Sequence, residues 1–362
     1  MKKHICFTLF AVCSFFAYFF GRIHTDNLLS ESFAFPVSLT QPIYAHSLPQ
    51  FPGTSAHAAC LIDAKSGAVL YSYNSDKRLP MASTTKIMTA LTVLETLDSD
   101  KEITVPKEAC GVEGSSIYLY PQEKITVKNL LYGLMLESGN DAASALAYAC
   151  CGSEEKFAEL MNGKAHELGL IDTHFTNPHG LPDEDHYTTA YELALIAAKA
   201  LENEDFRTIT STPTYACKVE GKSASRFFSN HNRLLRSYEG CIGVKTGFTK
   251  TAGRCLVSAA ERGGRRYVAV TLGDGDDWRD HMAMLDFAFE NFGCSEIAPK
   301  DIFTIYYRGK AYRNRDGIYL TVSKGENPSL CYKIDFSGKA ADTVCFADGA
   351  EIGRFALEPD GK

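Results

Sequence analysis

Ser83 and Lys86 lie three residues apart in the stretch MASTTKIMTA, where an apolar run with helical spacing begins. Side chains three apart on a helix are neighbours, so the amine can reach the hydroxyl. A serine attacks an amide at neutral pH when a base takes its proton, and a lysine with a lowered pKa can be that base. Ser83 is therefore either a nucleophile with Lys86 as its base, or an N-cap followed by a solvated first-turn lysine.

Two further motifs follow in order along the chain. A lone S-x-x-K carries little weight, because about one is expected by chance in a chain of this length. A second copy, residues 153–156 (SEEK), is interpreted as an ordinary helix start. Residues 138–140 (SGN) interrupt a helical pattern, and residues 245–247 (KTG) end a strand pattern. The charge of Lys245 would lower the pKa of Lys86.

The elements that must position these residues are both strands and helices. Strand patterns occur at both ends of a mainly helical middle, at residues 58–63, 68–73, 240–246, 254–261 and 266–272. Helical patterns include residues 85–97, a start capped by Ser153, a capping box at Thr189, and residues 279–292. The sequence therefore predicts an α+β (mixed α/β) fold, in which helices cover one antiparallel sheet.

Length and composition divide the chain into four predicted parts. A short basic start and an apolar run make residues 1–22 a signal peptide or signal anchor, which predicts export. Residues 23–53 read as a linker, 54–295 as the main domain and 296–362 as a small β-rich domain. The C-terminal letters LEPDGK form no amphipathic segment, so any attachment to a membrane would be through the N-terminus.

Charge and motif content exclude several classes of function. A net charge of −7 offers no basic face for nucleic acid. The ten histidines are scattered without H-E-x-x-H, so no metal or other cofactor is predicted. The letters GDGDDW resemble part of a calcium loop but lack its closing glutamate, and they are interpreted as a turn. The twelve cysteines could form disulfides or be small buried residues.

The three motifs together are those of the penicillin-interacting serine enzymes. The stretches MASTTKIMTALTVLE, LLYGLMLESGNDAASALA, NHNRLL and GVKTGFTKTAG resemble, more closely, the low-molecular-mass penicillin-binding proteins that are serine-type D-alanyl-D-alanine carboxypeptidases (peptidase S11-like). The resemblance covers about residues 55–295. It implies a serine β-lactamase/DD-peptidase-like antiparallel sheet flanked by helices, followed by a small β domain.

The resemblance also implies roles for the motif residues. The catalytic set would be Ser83, Lys86, Ser138, Asn140 and Lys245. Ser138 would relay a proton between the lysines and the leaving amine, and Asn140 would hold the substrate amide and Lys86. Three histidines in family-like loops are interpreted as structural, hydrogen-bonded residues: His179, His186 and His231.

Substrate binding would fall to the third motif and the residues after it. Thr246 would meet the terminal carboxylate together with Lys245, and Gly247 would let a peptide lie against the strand edge. The backbone N–H of Phe248 would be an oxyanion donor beside that of Ser83. Arg279 falls where relatives place an arginine near the carboxylate, although it also reads as a solvated arginine at a helix start.

The function that follows is removal of the terminal D-alanine from peptidoglycan stem peptides through an acyl-enzyme on Ser83, which β-lactams would also acylate. A class A β-lactamase is a weaker hypothesis, because its E-x-x-x-N motif is missing between residues 140 and 245. A non-catalytic β-lactam sensor or wall-peptide-binding protein is the alternative from another class. It would not need two lysines and two hydroxyls in these motifs.

Overall fold

The computed structural model describes residues 43–45, 49–219, 225–302, 304–307, 309–315, 317–336 and 341–359. The predicted export segment 1–22 and most of the predicted linker lie outside these residues. The described residues divide into two units, a larger one with those between 43 and 295 together with Leu320–Asn327, and a smaller one with Glu296–Tyr319 and those after Asn327. Within the described ranges, no helix is both long and apolar enough to cross a membrane.

The strands and helices are numbered in chain order. The strands are β1 Ile43–Tyr44, β2 Ala58–Asp63, β3 Val69–Tyr73, β4 Glu102–Thr104, β5 Lys124–Thr126, β6 Thr214–Lys218, β7 Ser225–Ser229, β8 Cys241–Thr249, β9 Gly253–Arg262, β10 Arg265–Leu272, β11 Phe292–Ala298, β12 Thr304–Tyr307, β13 Lys310–Arg313, β14 Ile318–Ser323, β15 Leu330–Asp335, β16 Asp342–Ala347, β17 Ala350–Ala356 and β18 Glu358–Pro359. The α-helices are α1 Lys86–Thr96, α2 Val127–Leu136, α3 Asn140–Cys151, α4 Glu154–Glu167, α5 Ala190–Ala200, α6 Glu204–Ser211, α7 Leu234–Ser237 and α8 Asp277–Asn291.

A five-stranded antiparallel sheet is the centre of the larger unit, in the order β3-β2-β10-β9-β8. All six residues of β2 are buried, because helices cover both faces of the sheet. Alternate residues of a strand point to opposite faces. Accordingly, Cys60 and Ile62 pack with the cluster that includes α1, α2 and α5, whereas Leu61 packs with the cluster that includes α8. The predicted α+β sheet with helical layers is confirmed.

Side-chain caps begin the helices where the sequence predicts starts. The Ser153 hydroxyl accepts a hydrogen bond from the Lys156 N–H at the start of α4. The Thr189 hydroxyl accepts one from the Glu192 N–H at the start of α5. These contacts satisfy N–H groups that have no partner within the helix. The second S-x-x-K copy is therefore a helix start, as predicted.

Two features of the larger unit are absent from the sequence interpretation. Strands β6 and β7 form an antiparallel hairpin between α6 and α7. Residues 320–327 return to the larger unit, where Thr321 and Val322 of β14 pair in parallel with Ile43 and Tyr44 of β1. The Thr321 hydroxyl also lies 2.5 Å from the Ser66 hydroxyl. A strand thus lies inside the segment 23–53 that composition predicts to be a linker.

The smaller unit contains two antiparallel three-stranded sheets. Their orders are β12-β13-β18 and β15-β16-β17. A small apolar core is formed by Ala298, Tyr312, Ile318, Ala341, Cys345 and Leu357. Across the described parts of both units, the ten cysteines are free thiols. Burial raises the pKa of Cys60 to about 12, so this thiol is a small apolar core residue at neutral pH.

His281 on α8 makes the larger unit sensitive to acid. The ring is completely buried, its Nε2 lies 3.0 Å from the Thr271 hydroxyl, and burial lowers its pKa from 6.5 to about 3. Between these values the unfolded chain binds the proton and the folded protein does not. The free energy of unfolding should therefore fall as the pH drops below 6.5, by about 1.4 kcal/mol per pH unit for this histidine.

The check is urea unfolding at several pH values from 7 to 4. In H281Q the free energy of unfolding should depend less steeply on pH, by the equivalent of about one bound proton. H166Q, which changes an exposed histidine on α4, is the control and should keep the wild-type slope. Equal slopes for H281Q and the wild type would contradict the assignment.

Candidate active site

Ser83 lies in a tight 3-10 turn, Ala82–Thr85, that precedes α1. The turn is held from within, because the Thr84 hydroxyl donates to the Met81 carbonyl (2.6 Å) and the Thr85 hydroxyl to the Ala82 carbonyl (2.8 Å). Ala82 has a φ of 48°, a left-handed conformation that is strained for a residue other than glycine. Ser83 is half-buried while its neighbours in the turn are buried. The turn therefore presents the Ser83 hydroxyl at an otherwise closed surface.

Lys86 is completely buried, which excludes the solvated first-turn lysine. Its Nζ lies 2.6 Å from the His179 carbonyl, 2.7 Å from Asn140 Oδ1 and 3.0 Å from Ser83 Oγ. Burial lowers the pKa of Lys86 well below 10.5, and the charge of Lys245 lowers it further, while Asp141 raises it. A neutral amine has two N–H groups and one lone pair. The two carbonyl oxygens take the N–H groups, which leaves the lone pair for the Ser83 hydroxyl.

The second motif lies in the break between α2 and α3. Ser138 is buried with a φ of 62°, and α3 begins two residues later at Asn140. The Asn140 side chain accepts from Lys86 and donates its Nδ2 to the Glu113 carbonyl. The amide is therefore fixed on both sides, with its oxygen directed at the lysine.

The third motif lies on β8, at the edge of the sheet. Lys245 is 1% exposed, its Nζ donates to the Thr246 carbonyl (2.8 Å), and burial lowers its pKa to about 7. A Cβ atom on Gly247 would lie 3.0 Å from the Ser83 nitrogen. Phe248 is 66% exposed beyond this contact. The edge strand β8 and the turn that carries Ser83 therefore lie in close backbone contact at Gly247.

Arg279 is on the first turn of α8. Its side chain is 72% exposed and pairs with Asp276 (3.1 Å) and Asp280 (3.8 Å). These ion pairs are those of a solvated arginine at a helix start. A role at the substrate carboxylate stays a prediction for this residue.

The loop that contains His179 has a role that its side-chain types do not reveal. Its contribution is the main-chain carbonyl that accepts from Lys86. Asn177 Oδ1 accepts from the Gly180 N–H (2.7 Å), and a Cβ on Gly180 would lie 2.0 Å from the Ala82 carbonyl oxygen. Glycine is required at this position, where the φ is +87°. The letters N-P-H-G mark a turn in the sequence, but not which carbonyl it presents.

The three histidines have contacts with neighbouring polar groups. His179 Nε2 lies 3.6 Å from Glu154, and His231 Nε2 lies 3.5 Å from Glu137. The His186 Nε2 lies 2.8 Å from the Thr85 hydroxyl, and burial lowers the pKa of this ring to about 4. His186 therefore supports the turn that carries Ser83 as a neutral ring.

Asp141 is a buried carboxylate that the sequence interpretation missed. It accepts hydrogen bonds from the Ser116 hydroxyl (2.6 Å) and from the Ile117 and Leu119 N–H groups. It thereby holds the loop whose Glu113 carbonyl fixes the Asn140 amide. The sequence signal for this residue was its position directly after S-G-N, because an acid at the start of a helix is favoured by the helix dipole.

Gly247→Ala tests the contact between the edge strand and the nucleophile turn. The new methyl would lie 3.0 to 3.2 Å from the Ser83 and Thr84 nitrogens and Ala82 Cβ, so the strand must shift by a few tenths of an ångström. We expect kcat/KM to fall by about 10- to 100-fold, since small misplacements of reacting groups are costly.

The measurement is hydrolysis of a peptide ending in D-Ala-D-Ala. The control, Gly163→Ala on the exposed face of α4, meets no atom within 4 Å and should keep full activity. Wild-type activity in Gly247→Ala would show that the contact has no catalytic importance.

Comparison with known proteins shows which proteins the chain is similar to. The sequence model described as D-alanyl-D-alanine carboxypeptidase, Peptidase_S11, matches residues 45–276. D-alanyl-D-alanine carboxypeptidase DacF of Bacillus subtilis (strain 168) is 36% identical over 323 residues, which are 85% of this chain and 82% of the relative. The D-alanyl-D-alanine carboxypeptidase of Streptomyces sp. (strain K15) is 39% identical over 61% of this chain and 81% of its own length.

Solved structures of penicillin-binding proteins and a DD-transpeptidase have a fold similar to that of this chain. The Streptomyces K15 DD-transpeptidase superposes with a TM-score of 0.63 at 35% identity, and covers 67% of this chain and 100% of its own. Penicillin binding protein 5 from Haemophilus influenzae superposes with a TM-score of 0.71 at 26% identity, and covers 86% of this chain and 98% of its own.

Proposed function

The chain belongs to the family of D-alanyl-D-alanine carboxypeptidases, and from this membership we propose that Ser83, Lys86, Ser138, Asn140 and Lys245 are its catalytic residues. The chain is a serine peptidase of the S11 type that removes the terminal D-alanine from peptidoglycan stem peptides. The observation that carries the assignment of residues is the buried Lys86 amine, 3.0 Å from the Ser83 hydroxyl and bonded to two carbonyl oxygens.

Acylation begins with transfer of the Ser83 proton to the Lys86 lone pair. The Ser83 oxygen then attacks the carbonyl carbon of the penultimate D-alanine and forms a tetrahedral oxyanion. The backbone N–H groups of Ser83 and Phe248 stabilise this oxyanion, and a donor of this kind contributes about 3 kcal/mol. The Gly247 contact brings the two segments that carry these N–H groups together.

Collapse of the oxyanion breaks the peptide bond. The proton taken from Ser83 passes from Lys86 through the Ser138 hydroxyl to the leaving amine, and D-alanine departs. Water then hydrolyses the ester on Ser83, with Lys86 again as the base, and the free serine is restored. The proton balance closes within the site, so the reaction needs no cofactor.

Recognition of the terminal carboxylate depends on Lys245 and Thr246. Burial lowers the pKa of Lys245 to about 7. A bound carboxylate favours the ammonium form, so binding of substrate raises the pKa of this lysine. β-Lactams carry both the carboxylate and a reactive amide, and they acylate Ser83 in the same way. Arg279 is proposed as a second carboxylate contact after its side chain leaves Asp276.

The setting of the reaction follows from the sequence. We propose that residues 1–22 direct export and provide any membrane attachment, so the enzyme acts outside the cytoplasm at the cell wall. Residues 54–295 are proposed to be the catalytic domain and residues 296–362 a small β-rich domain.

The test uses the purified protein with two readouts. D-Alanine release is measured with peptides that end in D-Ala-D-Ala or D-Ala-L-Ala, and covalent labelling with a fluorescent penicillin. We expect release from the first peptide alone, with one label per chain. Labelling without release would support a β-lactam sensor and overturn the carboxypeptidase. Rapid loss of the label with turnover of penicillin would support a β-lactamase.

A further inference from the structure

A cavity of about 380 Å³ opens on the larger unit. It lies between the segment around α7 and the start of α8, and its lining residues are Asn230, Asn232, Arg233, Arg236, Ser237 and Trp278. None of the residues assigned to catalysis lines it. Three residues of the letters N-H-N-R-L-L, which carry part of the family resemblance, therefore line a cavity that holds none of the assigned catalytic residues: Asn230, Asn232 and Arg233.

The lining of this cavity is positive. Both arginines are exposed, and within the described ranges neither forms an ion pair. No aspartate or glutamate lines the cavity. The acid that precedes Trp278 in the chain, Asp277, is paired with Arg254 instead. Two guanidinium groups without counter-charges on a chain of net charge −7 are suited to bind an anion.

The lining also contains hydrogen-bond donors without acceptors. Asn232 is 2% exposed; its Oδ1 accepts from the Leu234 N–H (3.0 Å), while its Nδ2 is buried with no partner in the described structure. Trp278 Nε1 is likewise buried and unpartnered there. Buried polar groups are rarely left unpaired, so these donors point to a missing acceptor.

We propose that this cavity binds the phosphate group of an organic phosphate. Arg233 and Arg236 lie one helical turn apart, and guanidinium groups bind phosphate oxygens in pairs. Donors from four side chains match the three or four oxygens of a phosphate better than the two of a carboxylate. The cavity is larger than a phosphate ion, and the Trp278 ring, 5.8 Å from Arg233 Cζ, offers an apolar wall for the carbon part of the ligand.

Trp278 is the one tryptophan of the sequence, so its fluorescence reports directly on the cavity. The full chain is titrated with inorganic phosphate, glycerol 3-phosphate and poly(glycerol phosphate), at an ionic strength held constant with chloride. We expect a saturable change of emission with each probe. In R233Q/R236Q the apparent Kd should rise at least tenfold, while D-alanine release stays at the wild-type level.

K107Q/K128Q is the matched control, because it removes the same charge from exposed lysines elsewhere and should bind as the wild type does. R236Q alone, at an exposed position, keeps the test valid if the double variant does not fold. Tighter binding per phosphate of the polymer would identify a polyol-phosphate chain as the source, and equal binding would identify a free metabolite. No saturable response to any probe, or equal responses in R233Q/R236Q and the wild type, would overturn the proposal.

Discussion

Ser83→Ala should release no measurable D-alanine, with kcat/KM reduced by more than about 10⁴-fold, because loss of the nucleophile abolishes the acyl-enzyme route. The same variant should form no covalent adduct with a fluorescent penicillin. Its fold should be preserved, since Lys86 keeps its bonds to the Asn140 and His179 carbonyls. The measurements are D-alanine release, the mass of the penicillin-treated protein and thermal unfolding.

The chain supplies its own control in the second S-x-x-K copy. Ser153 caps α4 by accepting from the Lys156 N–H, and it precedes Lys156 by three residues, as Ser83 precedes Lys86. Ser153→Ala should lose about 1 kcal/mol of stability as a lost N-cap and keep full activity and labelling. D-alanine release by Ser83→Ala, or its loss in a folded Ser153→Ala, would show that the wrong serine is assigned.

Lys245→Met should lower kcat/KM by about 10²- to 10³-fold, because a charge-assisted hydrogen bond to the substrate carboxylate is lost. It should also change the pH dependence of acylation. Lys86 acts as a base only when neutral, so acylation rises with pH as Lys86 loses its proton. The Lys245 charge lowers the pKa of Lys86. Without that charge the pKa rises, and the acidic limb of the profile moves to higher pH.

Lys245→Arg separates the two effects. It keeps the positive charge but changes the geometry of the donor, so it should lower kcat/KM without moving the acidic limb to higher pH. The measurement is the rate of acylation by penicillin between pH 5 and 10 for the two variants and the wild type. An unchanged acidic limb in Lys245→Met would show that Lys245 does not act on Lys86.

Much of the fold could be predicted because buried strands and helices show simple patterns of apolar residues in the sequence. The run AACLID has no polar residue before Asp63, as a strand covered on both faces requires. The three motifs come from the start of α1, the break before α3 and the edge strand β8, and the structure places Lys86 against Ser83 and Asn140 and Gly247 against the Ser83 turn. Their spacing along the chain does not encode the distances between them, which depend on how the helices pack on the sheet.

The parts that escaped prediction depend on the main chain or on distant segments. The His179 carbonyl is a property of loop conformation, which Asn177 and Gly180 set together. The 3-10 turn at Ser83 resembles a helix start in sequence, because hydroxyls and small residues suit both. The pairing of Thr321 with Ile43 joins residues that are 278 positions apart in the sequence, and local patterns carry no information about such a partner.

The two carbonyl oxygens that hold Lys86 leave the nitrogen one lone pair, which faces the Ser83 hydroxyl. Proton pick-up must therefore follow one line, the line from Ser83, before the proton passes on through the Ser138 hydroxyl. We expect the incoming water to need the space that the expelled amine has just occupied, so departure of the first product should precede hydrolysis. In a β-lactam the expelled nitrogen stays tethered to the acyl group by the opened ring. It keeps that space filled, so the acyl-enzyme formed by a β-lactam should be long-lived.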